Sequence, residues 1–146
     1  LVAQYPEHTT LIQAYYERWP EMLRAELPEG VAILEALHQV EMPLFGLTNW
    51  SSETFPYARA NYPFLTRFRD ILVSGEVKLI KPDPAIYHAS LTQVRAHLPD
   101  VQASEVVFID DVAGNIEAAI ALGWQGIHHV SAERTAARLR ELGVAF

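Results

Sequence analysis

The sequence predicts an α/β fold in which a doubly wound parallel sheet carries helices on both faces. Helix-type and strand-type segments alternate along the 146 residues, and that order favours a parallel sheet. The strand-type segments are short continuous apolar runs, which are typical of strands buried on both sides. Polar residues follow those runs, and in such sheets ligands bind beyond the carboxyl ends of the strands.

The N-terminal part of the chain predicts helices. Residues 9–27 carry apolar side chains at helical spacing, and Pro20 breaks or kinks this run, so two short helices are expected. Pro28 and Gly30 then separate the segment from a second helix over residues 30–40.

Short apolar runs predict the strands. A short helix and a turn over residues 52–68, interrupted by Pro56 and Pro63, are expected between the first two runs. The predicted strands are PLFGLTN (43–49), DILVS (70–74), EVVFID (105–110) and QGIHHV (125–130).

The helices between the later strands have clear end signals. Asp83 is a natural N-cap, and Pro84 takes the first helical position. A further helix over residues 113–122 is ended by Gly123, and Ser131 caps the last helix, SAERTAARLREL.

The composition narrows the classes of function. With a net charge of −7 and no Lys/Arg cluster, the chain is a poor partner for nucleic acid or an anionic membrane. It has no cysteine, which excludes disulfides and thiolate chemistry within these residues. No apolar run approaches the roughly 18 residues of a membrane span, and the first residues resemble no signal peptide. We expect a cytoplasmic protein with a small-molecule substrate. The sequence opens without Met, so we also expect a fragment or a processed product.

Two adjacent carboxylates, Asp110 and Asp111, follow the apolar run VVFI. Like charges that close repel, so one carboxyl group should stay protonated unless a cation neutralises the pair. A divalent metal is the favoured explanation, and Mg²⁺ prefers such oxygen ligands. The competing interpretation is a solvated helix N-terminus, where carboxylates complement the helix dipole.

The carboxyl ends of parallel strands meet at one edge of a sheet, so the polar residues after each run should share that edge. A hydroxyl, an ammonium group and paired carboxylates there suit a phosphoryl group with a divalent cation. The residues are Thr48, Asn49 and Ser51 after the first run, Lys81 after the second, Asp110 and Asp111 after the third, and His128 and His129 after the fourth.

The segments LFGLTN, SGEVKLIKPDPAIY and VVFIDDVAGNIEAA, in that order and spacing, resemble motifs of the haloacid dehalogenase-like hydrolase superfamily. The resemblance covers roughly residues 28–143. It implies a Rossmann-like core over residues 28–146, and it implies that residues 1–27 are the C-terminal part of a helical cap. For most members it also implies Mg²⁺-dependent phosphate-ester hydrolysis through an aspartyl-phosphate.

The resemblance also implies roles for individual residues. Thr48 would bind the phosphoryl group with Asn49 beside it, and Lys81 would bridge the nucleophile and the phosphate. The Lys81–Pro82 bond is a candidate cis peptide, which only an X–Pro bond reaches cheaply. The residues expected around the metal are Asp111 as the favoured ligand, Asp110 as a second ligand or an outer partner, and Asn115 as the residue that fixes the acidic loop.

One expected motif is absent. The resemblance implies an Asp-x-Asp after the first and central strand, and no Asp-x-Asp occurs in these residues. We therefore expect the nucleophile and the central strand to lie upstream of residue 1, and we expect this chain alone to be catalytically incomplete.

Competing functions remain open. Family members that cleave carbon–halogen bonds work without a metal and, by the resemblance, carry a neutral residue in place of one acid of the pair. Both acids are present here, which favours a phosphatase over a 2-haloacid dehalogenase. A catalytically incomplete binding or regulatory member is a further alternative. A receiver-type signalling domain ranks low because its acids precede its Thr and Lys in the chain.

Several other residues have structural interpretations. Neighbouring residues on a strand point to opposite faces, so His128 and His129 are not expected to share a metal ion. The aromatic residues Tyr15, Tyr16 and Trp19 are expected to pack against helices. Trp50 follows Thr48 and Asn49 beside the expected phosphate, and it is equally compatible with a substrate or cap contact and with a purely structural role.

Overall fold

The computed structural model describes residues 1–23 and 25–146 and has the predicted alternation of helices and strands. Short 3₁₀ turns connect several of these elements. The helices are α1 (Thr9–Glu17), α2 (Pro28–Gln39), α3 (Phe55–Asn61), α4 (Ser74–Val77), α5 (Pro84–His97), α6 (Ala113–Ala121) and α7 (Ala132–Glu141), and the strands are β1 (Phe45–Thr48), β2 (Asp70–Val73), β3 (Val107–Asp110) and β4 (Gln125–His128).

The predicted break in the first helical segment is confirmed, but it falls before Pro20. Helix α1 ends at Glu17, and Pro20 lies in a 3₁₀ turn over Trp19–Met22, where a proline near the start loses no backbone hydrogen bond. Arg24, which the predicted range includes, lies outside the described residues.

Two helix boundaries differ from the prediction. Helix α2 begins at Pro28, so Pro28 and Gly30 form its first turn and do not separate it from the preceding segment. Proline suits that position because its fixed φ matches the helix and its missing N–H would have had no partner. Helix α4 was not predicted from the sequence. The N-cap of α5 is confirmed, because the Asp83 carboxylate accepts a hydrogen bond from the Ala85 N–H at 2.8 Å.

The strands form two separate two-stranded parallel sheets. Strand β1 pairs with β2, and Phe45 faces Asp70 in the register. Strand β3 pairs with β4, and Ile109 faces Ile127. Among the described residues, no ladder of hydrogen bonds joins β1 to β3.

Helices cover both faces of the two half-sheets, as a doubly wound fold requires. On one face, α5 and α6 pack over a core in which Tyr87, Phe108 and Trp124 contact one another edge to face at centroid separations of 5.6–5.9 Å. On the other face, Leu37 of α2 and Leu139 of α7 pack against Ile127.

A slot separates the two half-sheets. This cavity of about 520 Å³ has β1 on one side and β3 on the other, with α2 and α5 closing it above and below. The residues that line the slot include Phe45–Leu47, Val107–Ile109, the α2 residues Ile33 and Leu37, and the α5 residues Ser90 and Val94.

The slot corrects the expectation that every strand is buried on both faces. The four residues of β1 are all only half-buried, and Ile109 in the middle of β3 is 36% exposed. Its register partner, Ile127, is 3% exposed. The exposure therefore lies on the side of each half-sheet that borders the slot.

The loop after β1 lies directly against the start of α4. A Cβ added at Gly75 would lie 2.3 Å from the Ser52 nitrogen and 2.8 Å from the Trp50 carbonyl oxygen. The Gly75 N–H donates to that same carbonyl oxygen at 2.9 Å. Backbone therefore packs against backbone here, in a space that no side chain can share.

Candidate active site

A polar rim lies at the carboxyl ends of β1 and β3; the term covers Thr48, Asn49, Lys81, Asp110 and Asn115. The Lys81 Nζ donates to the Leu47 carbonyl oxygen at 3.0 Å and to Asp110 Oδ2 at 2.6 Å. A single ammonium group therefore joins the end of one half-sheet to the end of the other. The half-buried Thr48 is the next residue after Leu47.

The Asp110 carboxylate is buried, and both of its oxygens are hydrogen-bonded. Oδ1 accepts from the Val112 N–H and from the Asn115 side-chain amide, each at 2.9 Å, while Oδ2 accepts from Lys81. Burial by itself would raise the pKa of Asp110. The hydrogen bonds from Lys81, Val112 and Asn115, together with the positive charge of Lys81, outweigh burial and lower the pKa below its usual value. Asp110 is therefore ionised without any metal, so the repulsion argument for a cation does not apply to it.

The Asn49 side chain holds the backbone of Lys81 in place. Its Oδ1 accepts from the Lys81 N–H at 2.8 Å, and its Nδ2 donates to the Lys81 carbonyl oxygen at 3.0 Å. The Lys81–Pro82 peptide bond is cis, as predicted. Because both ends of the Asn49 amide are engaged, its predicted contact with phosphate stays a prediction. Its observed contacts position Lys81.

Tyr87 lies beneath the rim and bonds to it, a role that its position in the sequence did not predict. Its side chain is fully buried, and its hydroxyl donates to the Asn115 carbonyl oxygen at 2.8 Å. Burial, with a smaller contribution from the negative charge of Asp110, raises the pKa of Tyr87 to about 12. From the sequence, Tyr87 is one residue of the apolar face of a helix, and no local signal identifies a partner 28 positions away.

Asp111 is exposed beside the buried Asp110, and its role as a metal ligand stays a prediction. Mg²⁺ is commonly held by one or two carboxylates, with water and substrate phosphate completing the shell, and two adjacent acids suit that donor set. Within the described ranges, no three His, Asp or Glu side chains gather closely enough to form a metal site by themselves.

The two histidines at the carboxyl end of β4 have separate hydrogen bonds. His128 Nε2 lies 3.0 Å from the Asp111 carbonyl oxygen, and His129 Nδ1 lies 2.7 Å from the hydroxyl of the buried Thr135. They therefore do not converge on one point, as expected from their positions on a strand.

Trp50 connects the N-terminal segment to the loop after β1. Its ring centroid lies 5.5 Å from that of Trp19, and its Nε1 donates to the Thr54 hydroxyl at 3.0 Å. Nearby, the Tyr16 hydroxyl donates to Glu53 at 2.7 Å. Tyr15 is exposed, and its ring contacts the ring of the neighbouring Tyr16, so its role in helix packing stays a prediction.

The family model for haloacid dehalogenase-like hydrolases matches residues 2–128. The chain belongs to this hydrolase family. The curated sesquiterpene phosphatase astK of Aspergillus oryzae is 29% identical to this hydrolase over 125 residues, which cover 86% of the chain and 56% of that protein. The chain thus spans just over half the length of this relative.

Solved structures confirm the fold of this haloacid dehalogenase-like hydrolase. A HAD family enzyme of Bacteroides thetaiotaomicron, crystallised as an aspartate-to-alanine mutant with magnesium and inorganic phosphate, has a TM-score of 0.63 at 23% identity. That match covers 77% of this chain and 57% of the other. An uncharacterized Corynebacterium glutamicum protein has a TM-score of 0.60 at 20% identity, over 80% and 82% of the two chains. Across the described part of the hydrolase, every helix is too short or too polar to cross a membrane.

Proposed function

We propose that this hydrolase is a Mg²⁺-dependent phosphatase of small phosphorylated metabolites that works through an aspartyl-phosphate. The observation that carries the proposal is the buried ammonium of Lys81, held 2.6 Å from Asp110 at the rim where Thr48 ends its strand. A fixed positive charge beside a hydroxyl favours binding of a phosphoryl group. A relative that is named a phosphatase, and a structural neighbour with magnesium and phosphate bound, support the proposal.

The residues of this chain would bind and orient the substrate. Thr48 and Lys81 would hydrogen-bond phosphoryl oxygens, while Asn49 keeps the Lys81 backbone in position. Asp111, with Asp110 as second ligand or outer partner, would hold Mg²⁺. When bound there, the cation would offset negative charge on the phosphoryl oxygens.

The nucleophile is the part of the proposal that these residues do not supply. No Asp-x-Asp is present in the sequence, and Asp110 is already bonded on both oxygens. The proposal therefore requires an aspartate from a segment outside residues 1–146, and it predicts that these residues alone bind ligands without turnover.

The N-terminal segment fits the proposed cap. Residues 1–27 contact the core through Trp19 on Trp50 and through Tyr16 on Glu53, close to the loop that follows Thr48. We propose that this segment belongs to the cap, where it would contact the organic part of the substrate.

Ligand binding tests the proposal with the chain as it exists. We expect NMR titrations with MgCl₂ and inorganic phosphate to move resonances of the polar rim. Asp111→Asn should weaken Mg²⁺ binding at least about tenfold, since one of two ligand charges is lost, and Thr48→Val should weaken phosphate binding. His128→Ala is the control and should leave Mg²⁺ binding unchanged. Equal effects of the two Mg²⁺ variants would contradict the assignment.

A 2-haloacid dehalogenase is the second candidate, because Lys81 neutralises Asp110 without a metal. Activity assays on the gene product that contains these residues distinguish the phosphatase from the dehalogenase. We expect it to release phosphate from small phosphate esters and to lose that activity in EDTA. Halide release from a 2-haloacid that survives EDTA would support the dehalogenase. Ligand binding without either reaction would indicate a binding or regulatory family member.

A further inference from the structure

Each of the three chain segments that form the polar rim also carries a large apolar side chain next to it. Trp50 comes directly after the rim residue Asn49. Ile80 comes directly before Lys81, and Val112 lies two residues after the end of β3. Ile80 is 60% exposed, Val112 is 52% exposed and Trp50 is half-buried. The term apolar collar covers these three side chains.

Hydrogen bonds hold the apolar collar close to the rim. The Val112 N–H donates to Asp110 Oδ1 at 2.9 Å, and Asp110 Oδ2 accepts from the Lys81 ammonium at 2.6 Å. The Asn49 amide oxygen accepts from the Lys81 N–H at 2.8 Å, which fixes the chain neighbours of both residues at the same place. Neighbouring Cα atoms are about 3.8 Å apart, so the collar begins one residue from the groups proposed to bind phosphate.

Polar atoms beside the collar have partners within the chain. The Trp50 Nε1 donates to the Thr54 hydroxyl at 3.0 Å, so the indole ring presents apolar surface to a ligand. The Ser51 hydroxyl accepts from the Glu53 N–H at 3.1 Å. A polyhydroxylated group on the collar would therefore lose hydrogen bonds to water and gain few in return.

An aromatic cluster extends the collar toward the N-terminal segment. The Trp19 ring centroid lies 5.5 Å from that of Trp50 and 6.3 Å from that of Tyr57, whose side chain is exposed. An exposed apolar patch of this kind beside polar residues is typical of a ligand site. Small-molecule sites combine mainly apolar walls with a few polar groups that fix orientation, and the collar and rim together have that composition.

We propose that the apolar collar binds the organic part of the substrate, and that the substrates are monophosphate esters of apolar alcohols. Their organic part is a hydrocarbon chain or ring without free hydroxyl groups, in contrast to a sugar phosphate. This inference rests on the proposed phosphatase function and names its substrate class.

A series of n-alkyl phosphates tests the substrate class by NMR titration of the chain in MgCl₂. We expect the Kd to fall roughly twofold for each methylene from ethyl to hexyl phosphate, about 16-fold in all. A fully buried methylene strengthens binding roughly fourfold, and the collar covers one side of the hydrocarbon. Glucose 6-phosphate should bind no more tightly than ethyl phosphate. Hexyl phosphate should move the methyl resonances of Ile80 and Val112.

A pair of variants locates the hydrocarbon. The double variant Ile80→Ala/Val112→Ala should reduce the gain from ethyl to hexyl phosphate to about fourfold or less, because most of the collar's aliphatic surface is lost. Its Kd for inorganic phosphate should not change, because neither side chain bonds to phosphate. Val40→Ala is the control: Val40 is also exposed but lies at the end of α2, before the amino end of β1, and the full gain should remain.

The outcomes separate this inference from the proposed function. If inorganic phosphate binds at the rim but chain length has no effect, or if glucose 6-phosphate binds more tightly than hexyl phosphate, the substrate class is wrong and the phosphatase proposal is unaffected. If the double variant keeps the full length dependence, the hydrocarbon binds away from the collar and the inference is wrong. If no phosphate compound binds at the rim, the proposed function fails and this inference fails with it.

Discussion

The polar rim and the slot lie on the same two strands, and they differ in how far their polar groups are satisfied. At the rim, the oxygens of Asp110, the amide of Asn49 and the ammonium of Lys81 all have hydrogen-bond partners. In the slot directly below, the backbone groups of Val107 and Ile109 face a cavity instead of a neighbouring strand. Side chains that reach across the slot therefore hold the polar rim in place, while the sheet beneath the rim is not continuous.

The largest expected effect on the free energy of unfolding comes from removing the Lys81 ammonium group. Lys81 and Asp110 have side chains only 9% and 6% exposed, so Lys81→Met leaves a buried carboxylate without its charge partner. Breaking such a pair typically costs roughly 3–5 kcal/mol of unfolding free energy, measured by urea denaturation. The double variant Lys81→Met/Asp110→Asn should regain at least half of the loss. A single-variant cost below about 1 kcal/mol would mean that the ion pair does not hold the half-sheets together.

The cost of truncating Ile127 and of truncating its register partner Ile109 compares packing in the covered part of the sheet with packing beside the slot. Ile127→Ala removes a side chain that is 3% exposed and should cost about 3 kcal/mol. Ile109→Ala removes one that is 36% exposed and should cost about 1 kcal/mol. Chemical denaturation of chains that differ only at these positions measures both costs. Similar losses at the two positions would show that the slot edge is packed as tightly as the interior.

The variant Tyr87→Phe tests whether the buried Tyr87 hydroxyl makes the free energy of unfolding depend on pH. The pKa of Tyr87 rises to about 12 in the folded chain, against about 10 for an unfolded tyrosine. A raised folded pKa means that its stabilisation is complete below pH 10 and is lost as pH rises toward 12.

Urea denaturation from pH 9 to pH 12 measures this loss. The parent chain should lose roughly 2–3 kcal/mol more than Tyr87→Phe over that range, because the variant has no phenol to titrate. Tyr5→Phe, at an exposed position, is the control and should follow the parent. If the Tyr87→Phe curve runs parallel to the parent curve, the hydroxyl does not couple folding to pH.

The smallest effect is expected for the residue that clamps the Lys81 backbone. Asn49→Ala removes two hydrogen bonds at an exposed position and should cost about 1 kcal/mol. Its effect on phosphate binding should be larger than its effect on stability, because Lys81 loses its fixed position. Asn61→Ala, which removes one exposed hydrogen bond to Tyr57, is the matched control and should leave phosphate binding unchanged.

The sequence predicted the elements and the shared rim well because both have local signals. Asp83 directly precedes the helix α5 that it caps, and the two acids Asp110 and Asp111 lie at the end of the apolar run that forms β3. The contacts of Tyr87 with Asn115 and of Asn49 with Lys81 join positions 28 and 32 apart, and only the folded backbone brings them together. The half-exposed β1 was mispredicted because a continuous apolar run indicates which residues could be buried but not which strand lies beside them.

Gly75 sets a limit on how the loop after β1 can evolve. The loop carries Trp50, a residue that contacts the N-terminal segment, and its backbone lies where any Cβ at position 75 would fall. A mutant library that randomises this loop should therefore keep Gly75 fixed, because any other residue there would displace the backbone of Trp50 to Ser52.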